Sequence, residues 1–583
     1  MGLLPKQFEG NSILIPGIYS KSTYPPQAGS ARALTNIVCV IGKARGGVPY
    51  NAAVDDADKV NRITAVAEAL DLLIDGDGYY ATEFYLTPTK DENLGKPAEV
   101  MFLRVDPAVQ ATGTLKKTAD DIIDIKSARY GSIANQICRQ MTAGTTLGKK
   151  ITVKFRGNIV GERDDIGYEC FEIQYTGAGS AATMTINGTS IATTVTGAAT
   201  DNLSIAFADF PNIESVVAYI DQNPAYTCTL KGRNDFRCDN LDAVSAQDIM
   251  TAPYVAKAIV QAIIDFLNNE CSGEIVASLH AGADRVIPDN DTVFVFLANG
   301  SDGTATSTDW ANALLLLERF KVNHVICASG DPAHQAMVDA HVVKMSDVTT
   351  KGNRSASGGA ALATTTKAAR IAEAKALNSA RFEYCVTPFW RYDVVNGNEK
   401  RKFAPYLMAA MVAGIKYAND PTTTATMRTL NVLGLAEDYN VPTLNDYIAN
   451  GCTAAKQGEN GFEIVHNVST YQGNNLILNL PSVLRTCDAI TLDLQLKVKT
   501  LISGLTRAPS TLEIKGIQNQ IVTNFLPKYR DEYGWLRDAI GGAKAFSDVE
   551  FRIEGDAFYL KFTGNVATPL HYGFILQKFV VEG

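Results

Sequence analysis

Between residues 236 and 435 short apolar runs alternate with segments of helical period, and no other feature constrains the fold as strongly. IMTAPYVAKAIVQAIIDFLNN (249–269) reads as a long helix and TVFVFLANG (292–300) as a core strand. TDWANALLLLERFK (308–321) reads as a helix, VNHVICAS (322–329) as a strand, TTKAARIAEAKALNS (365–379) as a helix, EYCVTPFW (383–390) as a strand and PYLMAAMVAGIKYA (405–418) as a helix. Strands alternating with helices at this spacing imply a doubly wound, largely parallel sheet. A similar pattern occurs earlier. The buried-strand signal NIVCVIG (36–42) precedes a Gly-rich turn, a helix over about 57–73 that stops at Asp75-Gly76-Asp77-Gly78, and a second strand, MFLRV (101–105).

The rest of the chain differs in character. From 146 to 235 short β-rich runs are separated by Gly, Asn and Thr, with one helix at NIESVVAYID (212–221). Residues 1–30 hold Pro5, Pro16, Pro25 and Pro26 and show no helical period, so the apolar stretch SILIPGIYS suits an extended arm. Such an arm buries itself on its own domain or adds a strand to a neighbour's sheet. The chain ends in two alternating runs, AFYLKFTG (557–564) and GFILQKFVV (573–581), which read as strands with one buried face. The expected organisation is an arm (1–30), a first α/β segment (31–145), a β-rich insertion (146–235), a central α/β domain (236–435), a mixed α+β C-terminal domain (436–560) and a terminal strand (561–583). A length of 583 residues accommodates about three to five domains.

Motifs that carry chemistry are near-misses. GTTLGKK (144–150) has Ala143 and Lys150 where a phosphate-binding loop needs Gly and Ser or Thr. GAGSAA (177–182) leads into a strand signal and not into the helix that a pyrophosphate requires, so a β-turn is expected. Ten scattered cysteines include no CxxC pair, and six histidines include no HExxH, so no metal or cofactor is expected. DNDTV (289–293) lacks the third ligand and the Gly turn of a calcium loop. No GxSxG elbow occurs, and the paired acids Asp164–Asp165 and Asp531–Glu532 are read as solvated. A net charge of −9 argues against a general nucleic-acid binder. No charged-then-apolar leader and no uncharged apolar run of 18 residues is visible, so neither a signal peptide nor a membrane helix is expected.

Segments along nearly the whole chain resemble contractile tail sheath proteins of myovirus-type phages and related phage-tail-like particles. LIPGIY (14–19) resembles their PGVY-type opening, and NIVCVIGKARGGVPYN (36–51) their strand and Gly-rich turn. MFLRV (101–105), IKSARYGSIANQI (125–137) and LANGSDGTATSTDWANALLLLE (297–318) resemble further family stretches in order. HVVKMSDVTTKGNRSASGG (341–359), FAPYLMAAMVAG (403–414) and HNVSTYQGNNLILNLPSVLRTCDAI (466–490) continue the likeness, the last without its aromatic. The resemblance implies a structural and non-catalytic subunit. Its central α/β domain would be subtilisin-like, its β-rich insertion would face outward, and its C-terminal domain would line the inside of the sheath. It further implies sixfold rings stacked around a tail tube, contraction that drives the tube through the host envelope, and baseplate and tail terminator proteins as further partners. Assembly would occur in the host bacterial cytoplasm, with no direct nucleic-acid contact and no membrane insertion.

Two sets of residues follow from joining this resemblance to the residue patterns. Both termini are expected to donate strands to neighbouring subunits through Ile13, Leu14, Ile15, Ile18, Tyr19, Phe574, Leu576 and Phe579. Between Ala489 and Arg530 the basic residues Lys497, Lys499, Arg507, Lys515, Lys528 and Arg530 face only Asp493 and Glu513, a net +4 in an acidic chain. These six are the expected contacts to an acidic tube surface, the alternative being a solvated face. DLQLKVK (493–499) alternates strictly and reads locally as a strand, whereas the family resemblance implies a helix. The competing function is a hydrolase on the α/β domain, for which no site residues stand out.

Overall fold

Apolar runs that alternate between two buried faces build the central sheet. The computed structural model describes residues 6–8, 11–13, 36–347, 349–350, 352–503, 510–539, 541–554 and 557–569. Seven strands lie in the spatial order Cys452–Thr453, Phe382–Cys385, Ser355–Gly359, His324–Ala328, Val38–Gly42, Val100–Arg104 and Asn61–Ile63. The first six are parallel and the last pairs antiparallel at the edge. Val38, Val40, Phe102 and Ile326 enter one core with helices Val66–Leu73, Asp77–Leu86 and Pro405–Tyr417. Cys39, Ile41, Leu103 and Val325 enter the other, with helices Ser307–Leu317, Pro332–Met345, Lys367–Leu377 and Val441–Ala449. Helices on both faces explain why these strands read as unbroken apolar runs.

The sheet therefore draws on residues 38–104 and 324–453, which the sequence reading divided among three segments, since the edge strand Cys452–Thr453 falls in the expected C-terminal domain 436–560. What lies between is an insert within an insert. Strands Gln110–Lys117, Asp120–Tyr130 and Ile275–Leu279 and strands Ile137–Ala143, Lys149–Phe155 and Asn158–Ile166 share one core with helix Ile259–Asn269. A nested insert over residues 168–258 has its own core, built from two small antiparallel sheets and helix Ile213–Asp221. The β-rich stretch expected at 146–235 is thus divided between two cores.

Four elements depart from the sequence reading. The helix expected over 57–73 begins at Val66, after the edge strand Asn61–Ile63. The Asp-Gly-Asp-Gly stop ends that helix and at once starts another, Asp77–Leu86, in which every residue from Gly78 onward is buried. A helix covered all round shows no amphipathic period, and its one buried acid, Glu83, meets Arg391 at 3.3 Å. The helix expected over 249–269 starts only at Ile259, because Tyr254–Lys257 is a strand of the nested insert. The core strand expected over 292–300 is only Val295–Phe296, on a sheet edge, with Val293 and Phe296 exposed.

Residues from Thr486 to Ala567, with Met1–Thr35, form a second unit. Its described part contains most of helix Pro481–Ser503, helix Thr511–Gln520, a π-turn at Ile521–Phe525, helix Leu526–Asp531 and the hairpin Phe546–Glu554/Ala557–Gly564. Ile517, Ile521, Tyr529 and Trp535 centre its core, and Phe551, Leu560 and Phe562 of the hairpin pack on it. No helix among the described residues is long and apolar enough to cross a membrane.

Candidate assembly site

The stretch 493–499 is helical, and its burial shows why alternation misleads. Thr486, Ala489, Ile490, Asp493, Leu494 and Lys497 are the buried positions, spaced three and four apart as one helix face requires. Two of those core-facing positions are charged, so the apolar residues of DLQLKVK no longer mark the buried face. Asp493 and Lys497 neutralise each other at 2.6 Å, one helical turn apart. Tyr529 donates its hydroxyl to Asp493 at 2.9 Å, and the rings of Phe525, Tyr529 and Tyr533 surround the Lys497 ammonium at 5.0–5.8 Å.

Lys497 is therefore withdrawn from the set of surface cations, because its charge is buried and already paired. Lys499 and Lys515 are exposed. Lys528 is partly exposed and lies 3.8 Å from Glu532, and Arg530 bridges side-on to its neighbour Asp531 at 2.6 and 3.0 Å. Arg507 lies outside the described residues. So do Leu14, Ile15, Ile18, Tyr19, Phe574, Leu576 and Phe579. Ile13 closes a short antiparallel ribbon, Lys6–Phe8 with Asn11–Ile13, in which it pairs with Lys6.

A groove of about 310 Å³ runs along the second unit between helix and hairpin, lined by Ile490, Leu494, Val498, Leu560 and Phe562 with Thr491 and Gln495. Among the described residues the strand Ala557–Gly564 pairs on one edge only, with Phe546–Glu554. A half-paired strand beside an apolar groove can accept a further strand whose alternate side chains fill the groove.

In the larger unit, the stretches singled out by resemblance converge at one buried polar joint. Arg104 ends an otherwise apolar strand and is fully buried, at the carboxyl end of the sheet where the chain leaves for the insert. Its guanidinium donates to the Gly47 and Tyr130 carbonyls at 3.2 and 3.3 Å and to Asp302 at 3.1 Å, with Asp106 3.6 Å away. Asp302 in turn accepts from the Ser132 backbone at 3.0 Å and from its hydroxyl at 2.5 Å. Asn135 and Gly300 exchange a reciprocal pair of hydrogen bonds at 2.9 and 2.8 Å. Residues 131–135 and 300–302 thus tie the outgoing and returning chain to one cation. Sequence reasoning missed this site, although its signal was present. An arginine closing a strand buried on both faces needs partners within the fold.

A second buried network lies under helix Pro405–Tyr417. The Lys416 ammonium pairs with Glu383, both almost wholly buried, and Asn467 donates to the other Glu383 oxygen at 2.7 Å. Arg485 caps the helix by donating to the Lys416 and Asn419 carbonyls at 2.6 and 2.9 Å. Its guanidinium stacks on Tyr417 at 4.3 Å, and Tyr417 stacks on His324. Burial, with Lys416 and Arg485 near, holds the His324 imidazole well below its usual range, so it is neutral. Both of its nitrogens meet serine hydroxyls, Ser355 at 2.8 Å and Ser357 at 2.9 Å. At His334 the Ser329 hydroxyl and the Asp331 carboxylate face the same nitrogen, at 2.9 and 3.9 Å. Neither histidine has a serine on one nitrogen and an acid on the other, the arrangement of a serine hydrolase. Among the described residues no group of histidines, cysteines and acids could hold a metal, and the ten cysteines are free thiols, nine of them buried.

No protein-family model matches the sequence, and no curated protein is significantly similar to it. Two solved structures share its fold over nearly the whole chain. The sheath tail protein of Desulfitobacterium hafniense aligns with a TM-score of 0.54 at 12% identity, covering 94% of this chain and 100% of that one. The sheath tail protein of Listeria innocua aligns with a TM-score of 0.53 at 10% identity, covering 92% and 96%. The chain has the mixed α/β multi-domain fold of these proteins.

Proposed function

We propose that this chain is the structural subunit of a contractile tail sheath, assembling as stacked sixfold rings around a tail tube and contracting to drive the tube through the host envelope. The observation that carries the reading is the shared fold over almost the full length of two sheath tail proteins. In this reading the doubly wound sheet is the family's subtilisin-like domain without its catalysis. The tube is met by Lys499, Arg507, Lys515, Lys528 and Arg530, whose contacts salt screens. The arms add strands to neighbouring copies through Ile13, Leu14, Ile15, Ile18 and Tyr19 at one end and Phe574, Leu576 and Phe579 at the other. The groove beside Leu560 and Phe562 receives them.

Each main-chain bond of such a strand contributes only about 0.5–1.5 kcal/mol, but linkage through several arms raises the effective concentration of each. A contact between copies that does not close on itself grows into a helical tube. Baseplate and tail terminator proteins cap its ends. Deleting residues 1–22 is accordingly expected to leave a folded monomer in sedimentation velocity under conditions where the full chain sediments as large assemblies. Undiminished assembly of the truncated chain contradicts donation by the N-terminal arm.

A further inference from the structure

Two helices on one face of the doubly wound sheet, Pro332–Met345 and Lys367–Leu377, leave a gap between them. It is a cavity of about 270 Å³, at the small end of ligand sites. Alanines make the space. Ala336 on one helix and Ala372 and Ala376 on the other line the cavity and are exposed at its mouth. On the sheet beneath, Tyr384 lines the cavity and pairs with Gly358 on the next strand.

The polar lining is Gln335, Glu373 and Tyr384. Gln335 is only 1% exposed. Its Nε2 donates to the Ser329 and Gly359 carbonyls at 3.0 and 2.7 Å. Those two bonds fix the amide, because the opposite orientation would set its oxygen against two carbonyl oxygens. Oε1 is left over Gly358, where an added Cβ would come within 3.3 Å of it. Among the described residues nothing donates to this oxygen, and a buried acceptor without a donor is destabilising. Glu373 is partly buried, and among the described residues no Lys or Arg bridges it. It accepts from two hydroxyls, that of Tyr384 and, at 3.2 Å, that of Thr364. Arg370, one turn earlier on the same helix, is engaged by both oxygens of Glu437 at 2.6 and 2.9 Å.

We propose that this cavity binds a small primary aliphatic amine in its ammonium form. The three polar side chains offer it acceptors and one negative charge but no free donor, since Tyr384 gives its hydroxyl proton to Glu373. An ammonium is the complement, with three N–H donors, a positive charge and no acceptor. Its head bridges Gln335 Oε1 and the Glu373 carboxylate and so ties the two helices together. Its alkyl stem runs between the alanines to the mouth. An anion meets the Glu373 charge, and an apolar ligand leaves Oε1 without a donor.

Ligand-observed NMR on the full chain, by saturation transfer to n-butylammonium at neutral pH, tests this. Saturable transfer is expected, and size-matched butyrate, of opposite charge, is expected to show none. Glu373→Gln keeps the shape and the acceptor for Tyr384 but removes the charge, and is expected to weaken binding about tenfold. Ala376→Leu fills the mouth from an exposed helix position that leucine suits, and is expected to abolish binding. No saturable transfer in the wild type, equal transfer to butyrate, or unchanged affinity in either variant overturns the proposal. Ala376→Leu decides the matter even where Glu373→Gln does not fold.

Discussion

Glu383→Ala is expected to destabilise the larger unit by about 3–5 kcal/mol, the usual cost of removing one partner of a buried ion pair. Glu383 lies on a central strand and is 2% exposed, as enclosed as the Lys416 it neutralises. Without it Lys416 and Arg485 remain as two buried cations, Arg485 held by carbonyls alone among its described hydrogen bonds. Burial already weakens the hold of Lys416 on its proton, so part of the loss is relieved by deprotonation. Replacing both partners, as Glu383→Leu with Lys416→Met, is expected to cost far less, because desolvation of two charges is relieved together. The first transition in a urea titration checks both. A single substitution costing under about 1 kcal/mol contradicts the assignment.

The second large effect is expected at the joint. Arg104→Ala leaves Asp106 and Asp302 without their shared cation and frees the Gly47 and Tyr130 carbonyls, again at about 3–5 kcal/mol. The loss is local to the outgoing and returning crossings, so protease sensitivity between 105 and 135 should rise before the sheet unfolds. Gly131→Ala is expected to act in the same place. Gly131 has φ +101°, and an added Cβ would sit 2.3 Å from an Asp302 oxygen and 2.8 Å from the Arg45 carbonyl. Limited proteolysis with mapped cleavage sites reads both variants. Cleavage elsewhere, or none, argues that Arg104 does not hold the joint.

Local pattern was enough wherever burial followed a single period. Strands Val38–Gly42 and His324–Ala328 and helices Lys367–Leu377 and Pro405–Tyr417 lie within a few residues of their expected bounds. Pattern failed where burial was complete or its polar positions were paired. Helix Asp77–Leu86 is covered on every side, and at 493–499 an Asp–Lys pair occupies the buried face. The start of helix Ile259–Asn269 depends on Asp242, 17 residues away in the sequence, so no window along the sequence reveals it. The joint was present in the sequence only as stretches without a motif, since Gly131, Ser132, Asn135 and Asp302 become one site only after the insert folds back. Of the two proposed assembly sets, the basic one loses Lys497 to the core, while the arm residues beyond Ile13 lie outside the described residues.

Negative-stain electron microscopy of the purified full chain, alone and concentrated, tests the central claim most directly. Hollow tubes or stacked rings with sixfold symmetry are the predicted result. A chain that stays uniformly monomeric at high concentration contradicts the self-assembling sheath reading.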